Sequence, residues 1–344
     1  MNLPRYPILA TVCCLIIIGA LTLGCSDDDN PSSSKEYGWS SLGTGMDDNI
    51  FSLKVYDGDL IAGGYFIIAG GVSVNHIANW NGTAWLSIGT GMYKVDNASV
   101  DIDSYGKPVD GNPTATADDD ITNGICVDAL TVYGNKLMAA GTITTAGGVS
   151  VNNIAAWNGS TWEPLSSGLI GSVGALTTFD DKLIAGGGFS TAGGVSVSNI
   201  AAWNGSSWAT LGSGLNNVVS NLAVYDGKLI AAGSFTTAGG AGANHIAAWD
   251  GSSWTPLGSG VNGNVSALTV YDDNLIAGGA FTTAGSVSAN HIAAWNGSSW
   301  TPLGTGMDND VDALTVYDDM LVAGGNFSTA GGVSATRIAA WGPK

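Results

Sequence analysis

The feature that most constrains this chain is a repeat of about 46 residues, present in six near-copies between Trp39 and Trp341. Each unit contains four short apolar runs, called A to D in chain order. The tryptophan that ends run C recurs at intervals of 46 residues at Trp157, Trp203, Trp249, Trp295 and Trp341. A period in this range, with four strand-like runs per unit, is typical of a β-propeller.

The turn residues inside each unit indicate that the apolar runs are β-strands. Runs A and B are separated by pairs such as Asp226-Gly227, and runs C and D by pairs such as Asn204-Gly205. Asn-Gly and Asp-Gly are strong hairpin signals because both central residues of the turn need a positive φ. We therefore predict one four-stranded antiparallel sheet, or blade, for each unit.

The two ends of the repeat are complementary. The chain enters the repeat with a run D, beginning at Trp39, and ends with a run C, Ile338–Trp341. Pairing these two strands completes a sixth blade and leaves no open strand edge. An open solenoid would need polar capping units instead. We predict an all-β, six-bladed β-propeller over residues 37–344, closed by the N-terminal outer strand pairing with the C-terminal strand.

One unit carries an insertion. Trp80 belongs to the run C series, but it precedes Trp157 by 77 residues, so 31 residues are extra. They fall between runs D and A, at about 92–122. Variable loops on a rigid scaffold often carry binding functions.

The N-terminal segment predicts export. Residues 1–24 contain Arg5 ahead of an apolar stretch, the pattern of a secretory signal. The sequence Leu21-Thr22-Leu23-Gly24-Cys25 resembles the bacterial lipobox, although Leu21 lies one place further from the cysteine than usual. The resemblance implies that Cys25 becomes the lipid-modified N-terminus. A simple transmembrane anchor is the alternative, and the apolar run is slightly short for it.

Residues 25–36 are polar and acidic, as in a flexible tether. Ser26 resembles the outer-membrane sorting position of lipoproteins, and Asp27–Asp29 resembles a surface-export signal. We expect an exported lipoprotein, held by its lipid anchor on the outer membrane or cell surface.

The repeat resembles the kelch superfamily: an apolar strand ending in Gly-Gly, such as Gly278-Gly279, then a tryptophan-bearing hairpin. It is also similar to the propeller of fungal cortical polarity markers and to uncharacterised bacterial exported propellers. Kelch units usually place a tyrosine before the hairpin, whereas here that tyrosine lies in run A. The resemblance covers about 39–341 and implies the fold rather than an activity.

Composition excludes some partners. The formal net charge of −18 should repel nucleic acid. Beyond the leader and Cys25, Cys126 is the remaining cysteine, so no disulfide framework is expected. We expect a monomer, with no cofactor other than calcium.

Candidate binding residues cluster in the variable connections between runs D and A and in the insertion. They are Asp48, Asn49, Asp308, Asp310, Asp312, Tyr93 and Tyr105. Calcium prefers hard oxygen ligands, so the insertion also predicts a calcium site or a solvated acidic flap. Its ligands would be Asp101, Asp103, Asp118, Asp119 and Asp120.

The leading functional hypothesis is a non-enzymatic, lipid-anchored module that binds protein or glycan. The alternative is a secreted carbohydrate-processing enzyme, and a purely structural surface protein is the third reading. The enzyme would use aspartates at the channel mouth, namely Asp48, Asp128, Asp308, Asp310 and Asp312. Convergence of these carboxylates in one pocket distinguishes the enzyme from the binding module.

Overall fold

The computed structural model describes residues 41–93, 125–317 and 319–342, which fold into successive antiparallel sheets, one for each repeat. Within a sheet, strands A, B, C and D are hydrogen-bonded neighbours in that order. The strands of sheets 1 to 3 are Ile50–Tyr56, Asp59–Gly64, Ile77–Trp80 and Trp85–Ser87; Cys126–Tyr133, Lys136–Thr142, Ile154–Trp157 and Trp162–Pro164; and Leu169–Phe179, Lys182–Ala192, Ile200–Trp203 and Trp208–Thr210.

Sheet 6 differs from the others, because its described residues supply strands A, B and C alone. The strands of sheets 4 to 6 are Val219–Tyr225, Lys228–Gly233, Ile246–Trp249 and Trp254–Pro256; Val265–Tyr271, Asn274–Gly279, Ile292–Trp295 and Trp300–Pro302; and Val311–Tyr317, Met320–Gly325 and Ile338–Trp341.

None of the described residues forms a helix that could cross a membrane. Short hairpins lie in the B–C loops. The hairpin strands are Ile68–Ala69 with Val72–Ser73, Thr145–Ala146 with Val149–Ser150, Thr237–Ala238 with Ala241–Gly242, Thr283–Ala284 with Val287–Ser288, and Thr329–Ala330 with Val333–Ser334; Val195–Ser196 pairs with the end of strand B of sheet 3, and Met92–Tyr93 adds to Thr145–Ala146.

The core lies between successive sheets. Ile230 and Ile246 of sheet 4, for example, are buried against Val265, Leu275 and Ala277 of sheet 5. The same repeat positions form the interfaces of sheets 1–2, 2–3, 3–4 and 5–6. Both faces of an internal sheet are therefore covered, which explains the nearly continuous apolar runs of strand B.

Glycine in strand B permits this close packing. A Cβ added to Gly278 would lie 2.5 Å from Val311 Cγ1 of the next sheet. Since real Cβ atoms do not approach so closely, any larger residue here would push sheets 5 and 6 apart.

The outward faces of the first and last sheets are uncovered in the described part of the chain. Ile338 of sheet 6 is 59% exposed, whereas Ile292 at the same position of sheet 5 is 1% exposed. On sheet 1, Leu53 is 56% exposed, against 8% for Leu268. In the described part of the chain, each terminal sheet therefore presents an apolar face.

Candidate functional site

Asp308, one of the predicted binding residues, holds two loops together. Its carboxylate accepts hydrogen bonds from the backbone N–H of Ser328 and Thr329, both at 2.8 Å, and from the Ser328 hydroxyl at 2.5 Å. The Ser328 hydroxyl, followed by the two backbone donors, lowers the pKa of Asp308 to about 2. Asn262 makes the same pair of backbone contacts, at 2.8 and 2.9 Å, in the preceding repeat.

The neighbouring predicted residues have separate contacts. Asp48 accepts a hydrogen bond of 2.7 Å from the backbone N–H of Asn49, which is exposed. Asp310 lies 3.2 Å from Nδ1 of His291. Asp312 accepts a hydrogen bond of 3.0 Å from the Asn326 amide, and burial together with the charge of Asp310 raises its pKa.

Tyr93 belongs to the repeat scaffold. It pairs with Thr145 across a short sheet, and its hydroxyl accepts a hydrogen bond of 2.9 Å from the Asn75 amide. Met92 beside it is fully buried. The repeat therefore extends through Tyr93. The remaining predicted residues lie outside the described part of the chain: Cys25, Tyr105, Asp101, Asp103, Asp118, Asp119 and Asp120.

Cys126, which is buried, and Asp128, which is half-buried, form a pair at the start of strand A in sheet 2. The Cys126 thiol donates a hydrogen bond of 3.1 Å to Asp128 Oδ2. Burial, followed by the charge of Asp128, raises the pKa of Cys126 to about 12. Burial also raises the pKa of Asp128. The thiol therefore stays protonated at neutral pH and is a poor nucleophile.

The aspartates named for the enzyme hypothesis each bond to a different part of the scaffold. Among the described residues, no group of three or more His, Cys, Asp or Glu side chains is placed to hold a metal ion. Asp308 anchors a loop, whereas Asp310 lies against the His291 imidazole and Asp128 against the Cys126 thiol.

A cleft between sheets 2 and 3 lies elsewhere and has a volume of about 940 Å³. We call it the turn-side cleft, because A–B and C–D hairpin turns form its rim. Aromatic residues Tyr133, Phe179 and Trp203 line it, together with Lys136 and Glu163.

Charged groups mark one wall of the turn-side cleft. Lys136 Nζ lies 2.5 Å from Glu163 Oε2, and the Asn158 amide donates to Glu163 Oε1 at 2.6 Å. The hydrogen bond from Lys136, then that from Asn158, lowers the pKa of Glu163. Glu163 is therefore ionised at neutral pH. On the other side of the cleft, Tyr133 donates a hydrogen bond of 3.3 Å to the Asp181 carbonyl.

The same repeat position forms much smaller clefts between other sheets. The cleft between sheets 1 and 2 has a volume of about 230 Å³, and that between sheets 4 and 5 about 120 Å³. In the latter, Thr255 occupies the place of Glu163, and Ile230 that of Met138. Trp295 there is buried, whereas Trp203 is half-buried. The turn-side cleft is thus a departure from the repeat.

Sequence reasoning missed this cleft, although a signal was present. Glu163 is one of two glutamates in the chain, and the same strand D position holds Leu86, Ala209, Thr255 or Thr301 in other repeats. A unique charged residue at a repeated position marks a difference among otherwise similar units.

Comparison with known proteins supports the fold. A family model described as a β-propeller domain of unknown function, DUF5122, matches residues 226–247, which lie in sheet 4. No curated protein sequence matches the chain. This match and the repeated four-stranded antiparallel sheets indicate a β-propeller repeat protein.

Among solved structures, the chain is similar to the computationally designed Ika8 protein, with 14% identity and a TM-score of 0.46 over 87% of this chain and 72% of that one. It is similar to the WD40 β-propeller domain of Doa1, with 16% identity and a TM-score of 0.38 over 58% and 62% of the two chains. It is also similar to the extracellular domain of the hybrid two-component system BT4673 from B. thetaiotaomicron, with 9% identity and a TM-score of 0.48 over 80% of this chain and 30% of that one.

Proposed function

We propose that this protein is a non-enzymatic binding module that holds a glycan or a protein segment in the turn-side cleft. The observation that carries the proposal is the size of this cleft, about 940 Å³, against about 120 Å³ between sheets 4 and 5. Binding sites are typically concave, lined by aromatic side chains, and supplied with a few polar groups that orient the ligand. Trp203 supplies a half-buried aromatic surface, and Lys136 and Glu163 supply a donor and an acceptor.

The propeller that we propose is kelch-like, six-bladed and closed. The support for closure is that the uncovered faces of sheets 1 and 6 carry the residues that pack against each other between successive sheets elsewhere. Val322 and Ile338 of sheet 6 occupy the positions of Ile276 and Ile292, which pack against the next sheet along the chain. Among the described residues, a Cβ added to Gly324 would approach only atoms of sheet 6 itself, whereas a Cβ added to Gly278 of sheet 5 would lie 2.5 Å from Val311 of sheet 6. Ile50 of sheet 1 has the repeat position of Val311 and is 42% exposed.

We further propose that the module is exported and anchored to a membrane through a lipid on Cys25, on the outer membrane or cell surface. The support is the lipobox-like sequence Leu21–Cys25 and the polar tether that follows it. A lipid anchor would place a binding cleft outside the cell while leaving the propeller soluble.

The binding proposal is tested by screening the detergent-purified protein on a glycan array and in a pull-down, then titrating the captured ligand. Lys136→Ala combined with Glu163→Gln should raise Kd about tenfold or more, equivalent to about 1.4 kcal/mol. Lys228→Ala is the matched control, since Lys228 occupies the place of Lys136 at the small cleft between sheets 4 and 5. An equal effect of both variants, or no effect of the first, would place the ligand elsewhere.

A further inference from the structure

The turn-side cleft combines an apolar floor with an acidic rim. Met138, Ala156 and Leu165, which line it, are 3%, 3% and 4% exposed. Asp180 and Asp181 also line the cleft, but they belong to the A–B turn of sheet 3 and are exposed. The cleft is thus suited to a group with an apolar stem and a polar end.

One carboxylate of the rim is not compensated by a neighbouring charge. Glu163 is paired with Lys136 at 2.5 Å. Asp180 is paired with Lys182 at 3.0 Å, on the exposed side of the turn. Within residues 41–93, 125–317 and 319–342, no hydrogen bond or ion pair engages the carboxylate of Asp181, whose backbone carbonyl makes its contact in the cleft. The free charge at the rim is therefore negative, and it favours a cationic group.

Other interfaces lack this combination of volume and charge. The A–B turn facing the cleft of about 230 Å³ between sheets 1 and 2 carries Asn135 at the position of Asp181. The turn facing the cleft between sheets 4 and 5 carries Asp273 at that position, but the cleft there has a volume of only about 120 Å³. The turn-side cleft has both the carboxylate and the room for a ligand.

The aromatic lining distinguishes between the two kinds of ligand considered so far. A guanidinium group stacks on an aromatic face and is attracted by the ring quadrupole, most strongly by that of tryptophan. Its aliphatic stem would pack on the apolar floor. Trp203 offers a half-buried indole for this purpose, and Phe179 lies on the same side of the cleft. The hydroxyl groups of a neutral glycan would instead lose water against a floor that offers no hydrogen-bond partner.

We propose that the turn-side cleft accepts an arginine side chain presented by a segment of a partner protein, with the guanidinium between Trp203 and the carboxylate of Asp181. Lys136 and Glu163 on the opposite wall serve the backbone carbonyl and N–H groups of the same segment. The net charge of −18 attracts a basic partner over a longer range. This inference rests on the proposed function and deepens it by selecting a protein segment and naming the side chain.

The test is calorimetric titration of the detergent-purified, full-length protein with three ligands. They are a short glycine–serine peptide with one central arginine, the same peptide with citrulline, which has a similar shape but no charge, and the neutral oligosaccharide cellohexaose. The citrulline peptide should have a Kd at least about tenfold higher than the arginine peptide, because it lacks the charge-assisted hydrogen bonds. Cellohexaose should not compete with the arginine peptide.

Asp181→Asn should raise the Kd of the arginine peptide about tenfold and leave that of the citrulline peptide unchanged. Asparagine tolerates the positive φ of Asp181, 54°, so the turn should be retained. Asp273→Asn is the matched control, since it removes the same charge and its φ is 57°. Tyr225 contacts the Asp273 carbonyl as Tyr133 contacts that of Asp181. The control should leave the Kd of the arginine peptide unchanged.

Three outcomes would overturn the inference. Equal effects of Asp181→Asn and Asp273→Asn, or no effect of either, would attribute peptide binding to net charge or to another surface. Cellohexaose binding that depends on Lys136 and Glu163, without arginine-peptide binding, would assign the cleft to a glycan. If neither compound binds while the captured ligand still depends on Lys136 and Glu163, this inference alone fails; a captured ligand insensitive to both would contradict the proposed function as well.

Discussion

At the scale of single residues, acidic and amide side chains of the D–A connections anchor backbone. Asp47, Asn216, Asn262 and Asp308 each accept hydrogen bonds from two successive N–H groups of the facing B–C loop. Backbone N–H groups are costly to leave without a hydrogen-bond acceptor. The abundance of aspartate in these loops therefore has a structural cause at these positions.

Asp308→Ala should remove a pH-dependent contribution to stability. Its folded-state pKa, about 2, lies below the ordinary value. The carboxylate therefore stabilises the fold above about pH 4, and this contribution is lost as the pH falls from about 4 to 2. Urea unfolding at pH 7 and pH 2.5 should show a larger difference between wild type and variant at pH 7. Asn262→Ala is the control, because the Asn262 amide makes the same backbone hydrogen bonds but does not titrate. An equal change in the loss of stability between pH 7 and pH 2.5 for both variants would contradict the prediction.

Trp249→Ala should lower the free energy of unfolding by about 3–5 kcal/mol. Trp249 is buried, packed in the core between sheets 3 and 4, with its ring centroid 5.4 Å from that of Trp254. Chemical denaturation measures the loss. Leu86→Ala, at a position 43% exposed, should change stability by less than about 1 kcal/mol. Losses of similar size for the two variants would contradict the packing argument.

At the scale of elements, one interface between sheets departs from its neighbours. Sheets 2 and 3, which form the turn-side cleft, have the same strand order as the other sheets. At the cleft, however, Glu163 replaces the smaller Thr255 and Met138 replaces the stiffer Ile230 of the cleft between sheets 4 and 5. A repeat scaffold can vary a single interface in this way because each sheet contacts mainly its neighbours.

Deletion of residues 94–121 should leave the propeller folded. The strand pair Met92–Tyr93 with Thr145–Ala146 lies outside the deleted segment and is retained. A short connection with the sequence of Val261–Asn264 should close the gap at little cost, since loop entropy varies slowly with length. Calorimetry should give a Tm close to that of wild type, and calcium should raise Tm in wild type alone. Unfolding of the variant would make the insertion structural, and a wild-type Tm unchanged by calcium would remove the metal hypothesis.

At the scale of the whole molecule, the most informative feature is the pair of apolar faces left uncovered on sheets 1 and 6. Exposed Leu53, Ile338 and Trp341 are 56%, 59% and 48% accessible. Contiguous apolar surface of this kind is normally covered by another face or by a partner. Pairing of sheets 1 and 6, as proposed, would bury both faces within one chain and would suit the expected monomer.

Cys25→Ser should release the protein from membranes. The proposed anchor is the lipid on Cys25, and the chain after it is a polar tether without further apolar anchoring sequence up to residue 36. Detergent-phase partitioning and membrane fractionation should move the variant to the aqueous phase. Cys126→Ser is the matched cysteine control and should remain in the detergent phase. Unchanged partitioning of Cys25→Ser would favour the transmembrane alternative.

The sequence alone determined the repeat, its strands and its turns, because these depend on neighbouring residues. Asp226-Gly227, for instance, has positive φ at both positions, at 49° and 68°, as the hairpin pattern requires. The tertiary structure decided which loop residues serve as anchors and which interface opens into a cleft. Asp308 and Ser328 are 20 residues apart, and Lys136 and Glu163 are 27 apart, so their contacts arise only when strands of a sheet and their loops are brought together. The volume between two sheets depends on side chains contributed by both, and no single repeat contains that information.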